Sequence, residues 1–240
     1  MTGYYDIHCH ILPEVDDGAD DMETTIKMLR QEYEDGVRVI YATPHYRIGM
    51  FEPPGEKVMQ QYELVKKQAK QIGDGIEIYL GCEFHANMDM ISMIDTKKGI
   101  RMGNSSCVLT EFSEKHGYGY IRERCYALLS HGCQPIIAHA ERYPALNHDL
   151  EKFHSLVDMG AFIQVNADSI LGKNGFHLKH VCRKMMKWNL IHFIGSDAHD
   201  VLKRKPLIGQ CAEYLKKKMG QAYMEKILIE NPRKFIEEGR

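Results

Sequence analysis

Three short stretches, far apart in the chain, each set histidine beside carboxylate. They are Asp6-Ile7-His8-Cys9-His10, Ala138-His139-Ala140-Glu141-Arg142 and Gly195-Ser196-Asp197-Ala198-His199. Each lies at or just beyond a short apolar run that reads as a β-strand. Side chains two apart on a strand share a face, so His8 points with His10 and Asp197 with His199. Imidazoles and carboxylates aimed into one space are the donors that a borderline or hard divalent ion takes. The chemistry this implies is metal-assisted hydrolysis.

More donors stand at the ends of other apolar runs. Asp16-Asp17-Gly18 follows the first run, Thr43-Pro44-His45 ends the second, Gly81-Cys82-Glu83 the third and Thr110-Glu111 the fourth. A lone histidine at a strand end is usually a hydrogen-bonded structural residue. Donors at six of seven strand ends point instead to metal. One catalytic ion takes about four positions including an open one, so this many donors imply two or three ions, with Glu83 placed to bridge a pair. Mixed imidazole and carboxylate donors suit manganese, iron or zinc. Asp6 lies deeper on the face assigned to His8, and reads either as a residue that orients an imidazole or as a barrel-floor salt bridge. His85, two residues past Glu83, is a further side chain aimed at the mouth. Arg142, three residues after His139, and Arg204, five after His199, would sit on loops above the donors, where guanidinium binds phosphate in bidentate fashion. Lys203 and Lys205 flank Arg204.

The elements that must position these residues alternate along the chain. Apolar, β-branched-rich runs at 4–7, 37–42, 76–80, 107–109, 135–138, 161–165 and 191–194 read as strands. Helical periodicity fills the segments between, at 56–72, 120–131, 150–159, 176–188 and 206–220. Asp20 with Glu23 resembles a capping box for a first helix that Gly36 closes. A C-terminal helix pair follows, with Asn231-Pro232 between its members. Strand–helix alternation implies parallel strands with right-handed crossovers. A closed barrel is favoured over an open sheet, because only a barrel brings every strand end to one mouth. No linker or internal repeat divides residues 1–240, so one domain is expected.

Bulk properties exclude several classes. The 240 residues carry a formal net charge of −2 with 27% charged residues, which argues against a nucleic-acid or anionic-membrane binder. Lys216-Lys217-Lys218 reads as a solvated helix face. Seven cysteines with no C-x-x-C pair suit free thiols in a reducing cytoplasm. The start MTGYYDIHCH lacks the basic and apolar regions of a signal peptide, and no apolar run approaches ~18 residues. A cysteine-nucleophile phosphatase needs arginine six residues after its thiolate. The residues six after the seven cysteines are Val15, Met88, Ser113, His131, His139, Trp188 and Lys217. No serine-nucleophile elbow, phosphate-binding loop or dinucleotide fingerprint is present.

The chain resembles a known family on stretches that span it: DIHCHILPEVDDG, ATPHYRIGMFEPP, LTEFS, IAHAERY, GSDAH and ENPRKF. It is similar to the PHP (polymerase and histidinol phosphatase) superfamily, and within it to the manganese-dependent protein-tyrosine phosphatases of bacterial capsule and exopolysaccharide synthesis. The resemblance implies a distorted (β/α)7 TIM-like barrel with three metals at its mouth. It implies His8, His10, Asp17, His45, Glu83, Glu111, His139, Asp197 and His199 as ligands, with Arg142 and Arg204 beside the substrate phosphate. His199 is also available to protonate the leaving group. The implied substrate is a phosphotyrosine tail on a bacterial tyrosine kinase. Two departures from the pattern are Lys205, which separates Arg204 from Pro206, and His85. Competing readings are a small-molecule phosphatase such as one for histidinol phosphate, a PHP nuclease, and a non-catalytic metal-binding interaction module.

Overall fold

The apolar runs become nine short strands, all paired in parallel: β1 (Tyr4–Cys9), β2 (Val37–Ala42), β3 (His45–Tyr46), β4 (Glu77–Leu80), β5 (Glu83–His85), β6 (Cys107–Glu111), β7 (Gln134–Ile137), β8 (Phe162–Asn166) and β9 (Phe193–Gly195). The computed structural model describes residues 3–96 and 101–237. The helices between the strands are α1 (Met22–Glu34), α2 (Gly55–Ile72), α3 (Met90–Thr96), α4 (Tyr118–Ser130), α5 (Pro144–Asn147), α6 (Glu151–Met159), α7 (Ala167–Leu171), α8 (Phe176–Lys187) and α9 (Ile208–Met219), with α10 (Gln221–Glu225) after them.

Strand order is β1-β2-β4 in one sheet and β3-β5-β6-β7-β8-β9 in the other. The two sheets are one curled wall of seven passes. β3 continues β2 past Thr43-Pro44, and β5 continues β4 past Gly81-Cys82. Pro44 cannot donate to a ladder, yet its carbonyl accepts from Glu83 N at 3.1 Å and keeps the passes together. A side chain at Gly81 would meet Met102 Sδ at 2.6 Å. The wall curls until β9 reaches β1, where Asp197 N donates to His8 O at 2.7 Å and His10 N donates to Ala198 O at 2.9 Å. Gly195 permits that approach, since its Cβ would lie 2.5 Å from His8 Cβ. The expected barrel architecture is therefore present, with two of its seven passes broken just below the mouth.

Inside the wall, Tyr5, Ile7, Tyr41, Leu109, Ile136 and Phe193 pack together. A larger apolar layer joins the outer face of the strands to the helices. Three expectations need correction. Asp21, not Asp20, caps α1, its carboxylate accepting from Thr24 N at 2.7 Å. Asn231-Pro232 does not separate two helices. The helix runs on through π-helical turns at Lys226–Glu230 and Arg233–Glu237, because a wider ladder tolerates the missing proline N–H. Asp6 does not share the face of His8. The register of β1 shifts between Asp6 and Cys9, so Ile7 and His8 both turn inward and Asp6 lies outward against Glu32 of α1.

Candidate metal centre

Every pass ends at the mouth, and the donors come from the last residues of a strand, from the turn beyond it, or from the first residue of the short strand that continues a broken pass. His8 and His10 flank the end of β1, His45 opens β3, Glu83 opens β5, Glu111 ends β6, His139 follows β7, and Asp197 with His199 follows β9. Asp17 reaches in from the turn after β1. His139 and Asp197 have φ of 32° and 52°, left-handed values that side chains other than glycine rarely adopt. The backbone turns back at both places and so directs each side chain over its own strand end.

Glu83 is the hub. One of its oxygens lies 3.1 Å from His8 Nε2, 3.1 Å from His10 Nε2 and 3.1 Å from His45 Nδ1, and the other is 2.7 Å from His139 Nε2. Asp197 Oδ1 is 3.6 Å from His8 Nε2 and 3.5 Å from His10 Nε2. Asp17 Oδ1 lies 3.5 Å from both His45 Nε2 and His199 Nε2. Of the four sets of ligand atoms mutually within 4.8 Å among the described residues, three lie at the mouth: His8, His10, Glu83 and Asp197; His10, Asp17, His45 and His199; His45, Glu83 and Glu111; the fourth, Asp6, Cys9 and Glu32, does not include Glu83. His85 belongs to none of these sets among the described residues; it faces His116 with ring centroids 6.0 Å apart.

The outer nitrogens of the imidazoles fix what the inner ones offer. His8 Nδ1 meets Gln164 Oε1 at 3.2 Å, His10 Nδ1 meets Asp16 Oδ2 at 2.7 Å, His139 Nδ1 meets Tyr143 Oη at 3.2 Å, and His199 Nδ1 meets the Asp197 carbonyl at 3.0 Å. An N–H donated to each of these oxygens leaves Nε2 with a lone pair directed at the centre, the tautomer a metal ligand needs. His8 Nε2 and His10 Nε2 then face each other at 3.2 Å with the Glu83 oxygen 3.1 Å from both. Three acceptors at that spacing repel unless a cation or shared protons lie among them. Glu83 Oε2, His45 Nδ1, His199 Nε2 and Glu111 Oε2 are buried without hydrogen-bond partners. The residues present fit a cluster of divalent ions.

Electrostatics agree. Burial would raise the Glu83 carboxyl, but His8, His45 and His139 hold it well below the usual range. Burial would lower His10, but Asp16 and Glu83 carry it well above an ordinary histidine. His8 is likewise raised by Glu83 and Asp197 against its burial. Burial pulls His45 down to about 4 and, with His10 nearby, lowers His199. Glu111 is pushed up to about 7 by burial and by Glu83.

Both arginines converge on Asp197. Arg142 donates to its Oδ2 at 2.9 Å and Arg204 to its Oδ1 at 2.8 Å. Lys205 therefore does not displace Arg204 from the mouth. Several functional residues escape a search for ligand types. Gln164 and Asn166 project from β8, the one pass without a ligand. Gln164 Oε1 also accepts from His139 N at 2.7 Å, and Asn166 Nδ2 donates to Asp197 Oδ2 at 2.7 Å. Their signal was alternation, two amides two apart in an otherwise apolar strand. Asp16 fixes both His10 and the His45 backbone N–H, the latter at 2.8 Å.

Residues 4–237 match a family model described as capsular polysaccharide synthesis, CpsB/CapC. The chain is 33% identical to the tyrosine-protein phosphatase CpsB of Streptococcus pneumoniae over 236 residues, covering 96% of this chain and 97% of that one. It is 31% identical to the tyrosine-protein phosphatase YwqE of Bacillus subtilis over 90% of this chain and 85% of the relative. A crystal structure from work on YwqE of Bacillus subtilis and CpsB of Streptococcus pneumoniae, described there as unique metal-dependent tyrosine phosphatases, superposes with a TM-score of 0.90 at 28% identity, covering 98% of this chain and 95% of that one.

Proposed function

This chain belongs to the capsular polysaccharide synthesis CpsB/CapC family, and from that premise we propose that it is a metal-dependent protein-tyrosine phosphatase, acting as a single domain. One observation carries the reading: a buried carboxylate, Glu83, gathers four imidazoles, and beside it Asp197 gathers two guanidiniums. That is a cation site adjoining an anion site, the pairing a phosphate monoester requires.

His8, His10, Asp17, His45, Glu83, Glu111, His139, Asp197 and His199 would hold two or three divalent ions, and manganese is the ion we assign. Bound there, such ions bring the pKa of water toward neutrality and draw off charge from phosphoryl oxygens. Arg142 and Arg204 would clamp the phosphoryl group, held ready by Asp197 and positioned without reorganisation. Asp16, Gln164 and Tyr143 keep the imidazole tautomers fixed, and Asn166 does the same for the Asp197 carboxylate. His199, lowered by burial and by His10, presents a neutral imidazole and serves best as a ligand. The tyrosinate leaving group has a conjugate-acid pKa of about 10 and needs little acid assistance. We assign as substrate a phosphotyrosine segment of a bacterial tyrosine kinase or related protein of polysaccharide synthesis. Seven free, buried cysteines suit a reducing compartment, and we place the chain in the cytoplasm.

The test compares a phosphotyrosine peptide, a phosphoserine peptide and histidinol phosphate with added Mn²⁺. The phosphotyrosine peptide should be hydrolysed fastest, and chelation or His139→Ala should abolish turnover while circular dichroism stays native. Preference for histidinol phosphate would overturn the substrate, and full activity after chelation would overturn the metal dependence.

A further inference from the structure

Two basic runs that lie apart in the sequence meet on the folded chain. Arg183, Lys184 and Lys187 are on α8, and Lys216, Lys217 and Lys218 end α9; all six are exposed. α8 follows β8 by way of α7, and α9 follows β9; both strands end at the mouth, and both helices run back along the wall. Their last turns therefore lie at the end of the barrel opposite the mouth. A groove of about 470 Å³ between them is lined by His180, Arg183, Lys184, Lys187, Tyr214 and Lys218 and by no carboxylate. The overall charge of −2 conceals this asymmetry.

Among the described residues, none of these six takes part in an ion pair such as those of Lys27, Lys66, Arg124, Arg142 and Arg204. α8 contains no acidic residue. The one acid of α9, Glu213, stands one turn before Lys216 and Lys217, where it also acts on Tyr4, and it does not line the groove. Helix dipoles account for a lysine or two in each last turn. They do not account for six exposed like charges on adjoining helices, none of them in an ion pair; on the α6 side, the acids Asp149 and Glu151 line a neighbouring groove with Lys184 and Trp188. Two further features belong to the same end. Trp188, just past α8, is 44% exposed, its ring resting on His154 with centroids 5.3 Å apart. Tyr214 Oη is buried at the groove without a hydrogen-bond partner.

We propose that this end of the barrel docks on an anionic lipid bilayer, with the six cations over the headgroups, Trp188 in the interfacial layer, and the metal-binding mouth turned away from the membrane. The cations are spread over two helix ends rather than converging on one point, which suits a surface of many phosphates. An exposed indole among lysines is the side chain that settles where apolar and wet regions meet. Charge complementarity selects anionic over neutral lipid.

The experiment is sedimentation of the full chain with added Mn²⁺ against phosphatidylglycerol and phosphatidylcholine vesicles. The chain should sediment with phosphatidylglycerol at low salt, stay in solution with phosphatidylcholine, and be released near 1 M salt, where the Debye length is about 3 Å. Lys184→Gln/Lys187→Gln/Lys218→Gln should weaken partitioning about 100-fold, at roughly fivefold per cation, and Trp188→Ala should weaken it further. Turnover of a small aryl phosphate should be unchanged in both. Failure of the unaltered chain to sediment at low salt, or equal sedimentation of the triple variant, would overturn the proposal. So would binding to soluble polyglutamate as tight as to vesicles, which would assign the surface to an acidic protein.

Discussion

Glu83, at a strand of the barrel wall, and Glu32, on helix α1 packed against it, are both fully buried glutamates, and they hold opposite charge states. Glu83 faces four imidazoles and is kept well below the usual carboxylate range. Glu32 faces another carboxyl, Asp6, and burial with that neighbour pushes it well above the range. Burial raises Asp6 as well, but Asp6 accepts from Ser196 N at 2.8 Å, from Ser196 Oγ at 2.5 Å and from His8 N at 3.2 Å, whereas neither Glu32 oxygen has such a donor, so a proton between the two is held better by Glu32. Burial is thus common to both, and partners decide the outcome. The mouth keeps its central carboxylate ionised among imidazoles. The Asp6–Glu32 pair, one layer outward, closes the sheet against α1 as a proton-sharing strut.

The contrast can be broken most severely at its ionised member. Glu83→Gln removes the charge that balances four imidazoles, and turnover should fall by about three orders of magnitude with a matching loss of metal affinity, measured by titration calorimetry. Near-normal metal binding in that variant would remove Glu83 from its central place. A second test uses pH. With no ion bound, His8 and His10 are raised and Glu111 stands at about 7, so these groups hold protons near neutrality that an ion must displace. Protonation competes with the metal, so affinity should rise with pH across 6 to 8, approaching tenfold per unit for each proton displaced. Calorimetry in buffers of different ionisation enthalpy should count those protons; a flat profile would contradict the assigned charge states. The smallest effect is expected at Glu32. Glu32→Gln keeps the shape and still donates to Asp6, so stability should change by about 1 kcal/mol or less. A drop in melting temperature beyond about 4 °C would show that the carboxyl does more than donate one hydrogen bond.

The passes of the barrel and the gathering of donors at its mouth were legible because both follow short-range rules. Strands are apolar runs, and a strand's last residues face the mouth wherever the pleat is regular. What escaped was wherever that pleat fails. The bulge in β1 reverses the side that Asp6 faces. The breaks at Thr43-Pro44 and Gly81-Cys82 create β3 and β5, which carry His45 and Glu83. Gln164, Asn166 and Tyr143 escaped for another reason: they are not ligand types and act only by holding His8, His139 and Asp197, which appears once partners are in place. Pro232 reads as a stop because proline removes a hydrogen bond, and the helix absorbs the loss by widening.

The left-handed turns at His139 and Asp197 say something about what the chain values. An L-residue in that region stores of order 1–2 kcal/mol that glycine would not. A barrel shaped for durability alone would place glycine at both corners; this one retains two reactive side chains there and tolerates the discomfort, which makes those bends a mark of purpose written in the main chain itself.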